Sequence, residues 1–158
     1  MNKTMVLGLT AALLVGCGEP KSQQENRLAI TQQNVSGAWQ CDYKLTDIKT
    51  KVHVAYGNNG EFSGRVFLNF PIATGKGAAR VELITSGHWS LQGSTITEEF
   101  EVLALDSTSS SGHELSETIE KELNDIHLLS TEVSVLTESS MVLVDAKGEE
   151  TRCHRRQV

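Results

Sequence analysis

Phe62-Ser63-Gly64-Arg65-Val66-Phe67-Leu68-Asn69-Phe70-Pro71 sets Phe62, Gly64, Val66, Leu68 and Phe70 against Ser63, Arg65, Phe67 and Asn69. Successive side chains of a strand point to opposite faces, so a period of two predicts a strand with one buried face. Pro71 ends it, having no N–H to give to a ladder. The same period runs outward in both directions. Upstream, Trp39, Cys41, Tyr43 and Leu45 share one face, and Val52, Val54 and Tyr56 share the next, followed by a turn at Gly57-Asn58-Asn59-Gly60. Downstream come Val81, Leu83, Thr85, Gly87, Trp89 and Leu91, then a long strand over 94–105. Three shorter strands close the chain: Glu132–Thr137, Met141–Ala146 and Glu149–Arg156, the last two joined by a tight turn at Lys147-Gly148. Short connections imply antiparallel neighbours. The expected class is mainly β, with about eight strands.

One segment breaks the period. After a Ser-rich loop from Asp106 to Gly112, Ser111 and Glu114 have the spacing of a capping box. Leu115, Ile119, Leu123 and Ile126 then form a helical stripe with Glu117, Glu120, Lys121 and Asp125 elsewhere. One amphipathic helix is therefore expected between the fifth and sixth strands. It would cover the sheet or a barrel mouth, with a partner-binding helix as the alternative.

Lys3 precedes an uncharged run from Met5 to Val15, shorter than the roughly 20 residues a membrane-spanning helix needs and suited to a signal-peptide core. Leu14-Val15-Gly16-Cys17 resembles the bacterial lipobox. That resemblance implies cleavage before Cys17 and acylation of its thiol and new amine. Two or three acyl chains anchor stably, since each buried methylene contributes about 0.8 kcal/mol. Gly18, where aspartate would imply inner-membrane retention, favours the outer membrane of a two-membrane cell. The expected organisation is a signal peptide over 1–16, a lipidated cysteine and flexible polar tether over 17–34, and a barrel domain over 35–158. Leu28-Ala29-Ile30 is a candidate short helix within the tether.

After cleavage 13 Lys and Arg face 20 Asp and Glu, a net charge of −7. Polyanion binding needs clustered cations, so nucleic acid is excluded as a partner. With Cys17 committed to lipid, Cys41 and Cys153 remain as an even pair in an oxidising compartment, which predicts a disulfide. A zinc reading through Cys41, Cys153 and His154 fails on geometry, because neighbouring strand residues point to opposite faces and no paired C-x₂₋₄-C spacing is present.

Gly37-Ala38-Trp39 at the head of the first strand resembles the G-x-W signature of lipocalins. The resemblance implies a closed antiparallel barrel whose floor is plugged by Trp39 packed against a late arginine. Arg152, Arg155 and Arg156 are the candidates, and Arg155 is placed beside Gly37 and Trp39 as a barrel-floor residue. Gly87-His88-Trp89 repeats the spacing, so the motif also arises for local reasons. A lipocalin carries its main helix after the strands, whereas here the helix falls among them. In a closed barrel the first and last strands are neighbours, which would bring Cys41 and Cys153 together.

No catalytic constellation stands out. Gly75-Lys76-Gly77 lacks the rest of a phosphate loop. Histidines 53, 88, 113, 127 and 154 form no H-x-x-x-H pair, and Ser107, Ser109, Ser110 and Ser111 lack a nucleophile elbow. Glu98, Glu99 and Glu101 supply carboxylates, with Glu99 and Glu101 expected on the face of Leu103 and Leu105 and no acid fixed opposite. The expectation is a lipid-anchored cell-envelope binding or accessory module, not an enzyme, needing no cofactor or metal and acting through a protein partner. The alternatives are a carrier of a small hydrophobic ligand and, more weakly, a hydrolase whose site forms only in three dimensions.

Overall fold

The computed structural model describes residues 26–45, 48–71, 78–107, 110–123 and 125–157. The signal-peptide and lipobox readings, with the first part of the tether, lie outside these residues, as do Gly75-Lys76-Gly77 and Ser109. The strands are β1 (Gly37–Leu45), β2 (Ile48–Tyr56), β3 (Glu61–Pro71), β4 (Ala78–Gln92), β5 (Thr95–Ser107), β6 (Leu128–Leu136), β7 (Ser140–Val144) and β8 (Glu150–Arg155). A short helix α1 (Gln32–Val35) precedes them, and α2 (Ser110–Leu123) separates β5 from β6. Each strand pairs antiparallel with the next, and β8 returns to β1, closing an eight-stranded up-and-down barrel.

The alternation in the sequence builds the interior. Trp39, Val54, Tyr56, Phe62, Trp89, Ile96, Val133, Leu136, Met141 and Leu143 form one buried cluster with the two strand cysteines. Tyr56 stacks at 4.8 Å from Trp89 and 6.2 Å from Phe62, spacings at which tilted aromatic pairs attract. Trp89 donates from Nε1 to the carbonyl of Gly57 at 2.9 Å. The second G-x-W has a different cause from the first: a Cβ at Gly87 would strike the carbonyl of Glu99 and the backbone of Phe100. Glycine there lets β4 and β5 approach closely.

The barrel is lopsided. β3, β4 and β5 run 11, 15 and 13 residues, whereas β7 and β8 have five and six. Beyond the short strands the buried side of β4 continues through Leu83, Val81 and Ala79, and α2 packs against β4 and β5. Among the described residues no helix is long and apolar enough to cross a membrane.

Several boundaries differ from the sequence expectation, each for a physical reason. The short helix forms at Gln32–Val35 and not at Leu28-Ala29-Ile30, because Thr31 supplies the N-cap oxygen. Leu28 instead donates its N–H to Leu136 at 2.8 Å, and Leu28 and Ile30 pack against the core. The end of the segment read as flexible tether is thus fastened to the barrel. α2 begins at Ser110, so Ser111 sits inside the helix and not at its cap. β6 begins at Leu128, four residues before the expected start, by pairing Leu128 with Glu99.

A bulge makes the most consequential difference. Thr85 pairs with Val102 and Ile84 with Ala104, leaving Leu103 without a partner on β4. One extra residue reverses the facing of everything beyond it. Glu99 and Glu101 therefore do not share a face with Leu105, which is half-buried opposite Leu83. Glu98, not its neighbours, turns inward, where its carboxylate accepts a hydrogen bond of 2.5 Å from the Tyr56 hydroxyl.

Candidate functional site

One end of the barrel is shut. Trp39 is fully buried and donates from Nε1 to Val35 at 2.7 Å, while the Arg155 guanidinium lies 4.2 Å over its ring. Arg155 also donates to three carbonyls: Ser36 at 2.8 Å, Asn34 at 2.7 Å and Glu138 at 2.9 Å. It thereby ties the end of α1 and the β6–β7 turn to the floor. Gly37 has φ of 127°, and a Cβ there would collide with Arg155 Nη1. Of the three late arginines, Arg155 is the one on Trp39; Arg152 pairs in register with Asp42 and Val142.

The adjoining seam is covalent. Cys41 and Cys153 are direct cross-strand partners of β1 and β8, bonded to each other with Cα atoms 4.0 Å apart. Above the floor Glu98, Tyr56 and Tyr43 make a polar island. Burial pushes the Glu98 carboxyl up, opposed by the Tyr56 hydrogen bond. Burial, with the charges of Glu98 and Asp145, pushes Tyr43 up to about 12. Tyr56 and Glu98 hold each other, and the buried aromatic and aliphatic cluster lies beside them.

The far end is different. β6 pairs with β5 only from Thr95 to Glu99, and Phe100 N–H still reaches the His127 carbonyl at 2.9 Å. From Glu101 onward β5 has β4 on one side and, among the described residues, no strand on the other. A cleft of about 250 Å³ opens there between β5 and α2, lined by Phe100, Val102, Leu105, Leu123 and Ile126 with Glu101 and Glu120 at its edge. Val102 and Ile126, two of the large apolar side chains exposed among the described residues, line it. Leu103, Leu128 and Leu129 are exposed on the neighbouring strands, Leu128 on the outer face with Glu99 and Leu129 on the inner face with Glu98. Leu128 and Leu103 are 60% and 57% exposed. Soluble monomers seldom leave contiguous apolar patches uncovered without a use for them.

The α2 stripe was legible in the sequence, and these exposed side chains were not. Ile126, its last member, lies beyond the helix end on a turn where its N–H bonds to Leu123. The histidines stay scattered: His53 lies edge-on to Phe67 at 5.3 Å, and His127 lines the cleft. Among the described residues no three His, Cys, Asp or Glu side chains are grouped to hold a metal ion.

Fold and site together define a closed up-and-down β-barrel with a plugged floor, a disulfide seam and an apolar cleft at the opposite end. No protein-family model matches the chain, and no curated protein does. The crystal structure of an uncharacterized protein from Bacteroides eggerthii is similar at 16% identity and a TM-score of 0.44, over 77% of this chain and 98% of that one.

Proposed function

We propose that this chain is an exported, lipid-anchored accessory module of the cell envelope, with a lipocalin-like barrel as scaffold and the β5–α2 cleft as the place where a protein partner docks. The observation that carries this reading is the apolar cleft with Val102 and Ile126 exposed in it and Leu103, Leu128 and Leu129 exposed on the adjoining strands, at the far end from the buried aromatic and aliphatic cluster. The cleft is also smaller than the roughly 300–1,000 Å³ of ordinary small-molecule sites. It suits one or two side chains of a partner better than a carried lipid. Leu14-Val15-Gly16-Cys17 supports the anchor, and the Cys41–Cys153 disulfide suits an oxidising compartment.

The experiment has two arms. In the first, cells fed a clickable fatty acid should label the parent chain and not Cys17→Ser. An unlabelled parent, released by salt alone, would remove the anchor from the reading. In the second, a photo-crosslinking residue at Leu128 should trap a protein adduct that the same residue at Asn59, by the floor, does not. No adduct from either position, together with a stoichiometric hydrophobic compound in organic extracts, would replace the partner reading with the carrier.

A further inference from the structure

The cleft combines three properties that bear on the shape and charge of what enters it. First, it borders an open strand edge. Phe100 N–H points away from β4, toward the β6 side. Backbone groups alternate along a strand, so the N–H and C=O of Val102 face that same open edge. Second, the bulge at Leu103 and the early stop of β6 leave apolar side chains on both sides of the edge. Third, the surroundings are strongly acidic. Residues 95–127 hold nine of the chain's 20 acidic residues and, in Lys121, one of its 14 basic residues.

We infer that the open edge of β5 accepts an extended segment of the partner as an added strand, and that this segment alternates apolar residues with Lys or Arg. Strand addition uses main-chain hydrogen bonds for affinity and side-chain pockets for specificity. Here the cleft takes the apolar residues, while Glu101 and Glu120 at its edge meet the cations. Charge also decides against the other occupants. A second copy would set Glu101 and Asp106 of the open edge against their equivalents, and like charges across a strand pair repel. An anionic membrane surface would be repelled in the same way. The inference rests on the reading of the cleft as a partner site and adds the mode of binding and the class of segment.

The test uses the full lipidated chain in detergent and two fluorescent eight-residue peptides, one alternating Val with Lys and the other Val with Glu. The Val/Lys peptide should bind at least tenfold more tightly than Val/Glu, and added salt should weaken it. Val102→Pro removes a donor on the open edge and leaves the β4 ladder its partners, so it should lower affinity at least tenfold further than Val102→Ala. Amide exchange of the parent gives a readout that needs no variant to fold: bound peptide should slow exchange at Val102. Exchange at Val102 unchanged by saturating peptide overturns strand addition. So does a dimer seen by light scattering that Leu128→Ser dissolves, or binding to anionic vesicles in place of peptide. If the Val/Lys peptide fails while the Leu128 crosslink still traps a protein, strand addition is wrong and the partner reading stands. If both fail, both readings go.

Discussion

The β8–β1 seam and the β5–β6 seam are both antiparallel pairings in one barrel, and they are finished in opposite ways. At β8–β1 only four residue pairs are in register, yet the seam holds a disulfide and adjoins the Trp39–Arg155 floor. At β5–β6 five pairs are in register, after which β5 runs on with, among the described residues, no strand on that side, and Val102 and Ile126 stand exposed in the cleft there. Pair number therefore says little about which seam is secure. Covalent and buried polar fastening closes one, and an open edge with uncovered apolar surface leaves the other available. The contrast separates what holds the fold from what is free to bind.

The largest expected effect breaks the closed seam. The double variant Cys41→Ser, Cys153→Ser should lose about 4–5 kcal/mol of stability, the chain-entropy value for a loop of this length. Denaturant melts read by tryptophan fluorescence measure it. A loss below about 1 kcal/mol would mean that hydrogen bonding and the floor close the barrel unaided. Trp39→Ala comes next, at about 3–5 kcal/mol for truncating a fully buried ring. It also strips the cation–π partner from Arg155.

A smaller effect concerns the polar island between the seams. Burial holds the Glu98 carboxyl above its ordinary value near 4.5. The folded protein thus keeps a proton that the unfolded chain has released, and stability falls as pH rises from the unfolded value through the folded one. Glu98→Gln keeps an acceptor for Tyr56 and removes the titration. Its melting temperature relative to the parent should rise as pH goes from 4 to 8. A difference independent of pH would show that Glu98 titrates normally. The smallest effect belongs to the open seam: Leu103→Ser and Leu128→Ser should each change stability by less than about 0.5 kcal/mol, as exposed substitutions do. A cost of several kcal/mol at either position would make the patch part of the core and erase the distinction between the seams.

The closed seam was legible in the sequence and the open one was not. Period-two alternation in Phe62–Phe70 and Trp39–Leu45, with short turns between strands, leads to a mainly β chain, and cysteine arithmetic leads to the pairing of Cys41 with Cys153. Each rests on local regularity or on counting. The choice of Arg155 over its neighbours depended on which face of β8 meets Trp39, a matter of register. The exposure of Leu103 and the inward turn of Leu105 depend on a single extra residue in β5, which leaves no mark in the period of hydrophobicity because Val102, Leu103, Ala104 and Leu105 are all apolar. Glu98, before it, faces inward with Ile96 and Phe100 by plain alternation. The patch forms because β6 pairs only to Glu99, a long-range event with no local signature.

Arg155 and the bridge beside it also have a mechanical consequence. Tension arriving through the N-terminal segment would first load Leu28 on Leu136, then the grip of Arg155 on Asn34 and Ser36. Should those yield, β1 would peel from its neighbours rung by rung, the geometry in which strands resist force least. Cys41 is the fifth residue of β1, so peeling meets a covalent stop after Gln40, and further load passes through Cys153 into β8. A pull on the N-terminal segment is thus borne by both ends of the strand sequence, and its path does not run through the β5–α2 end of the barrel.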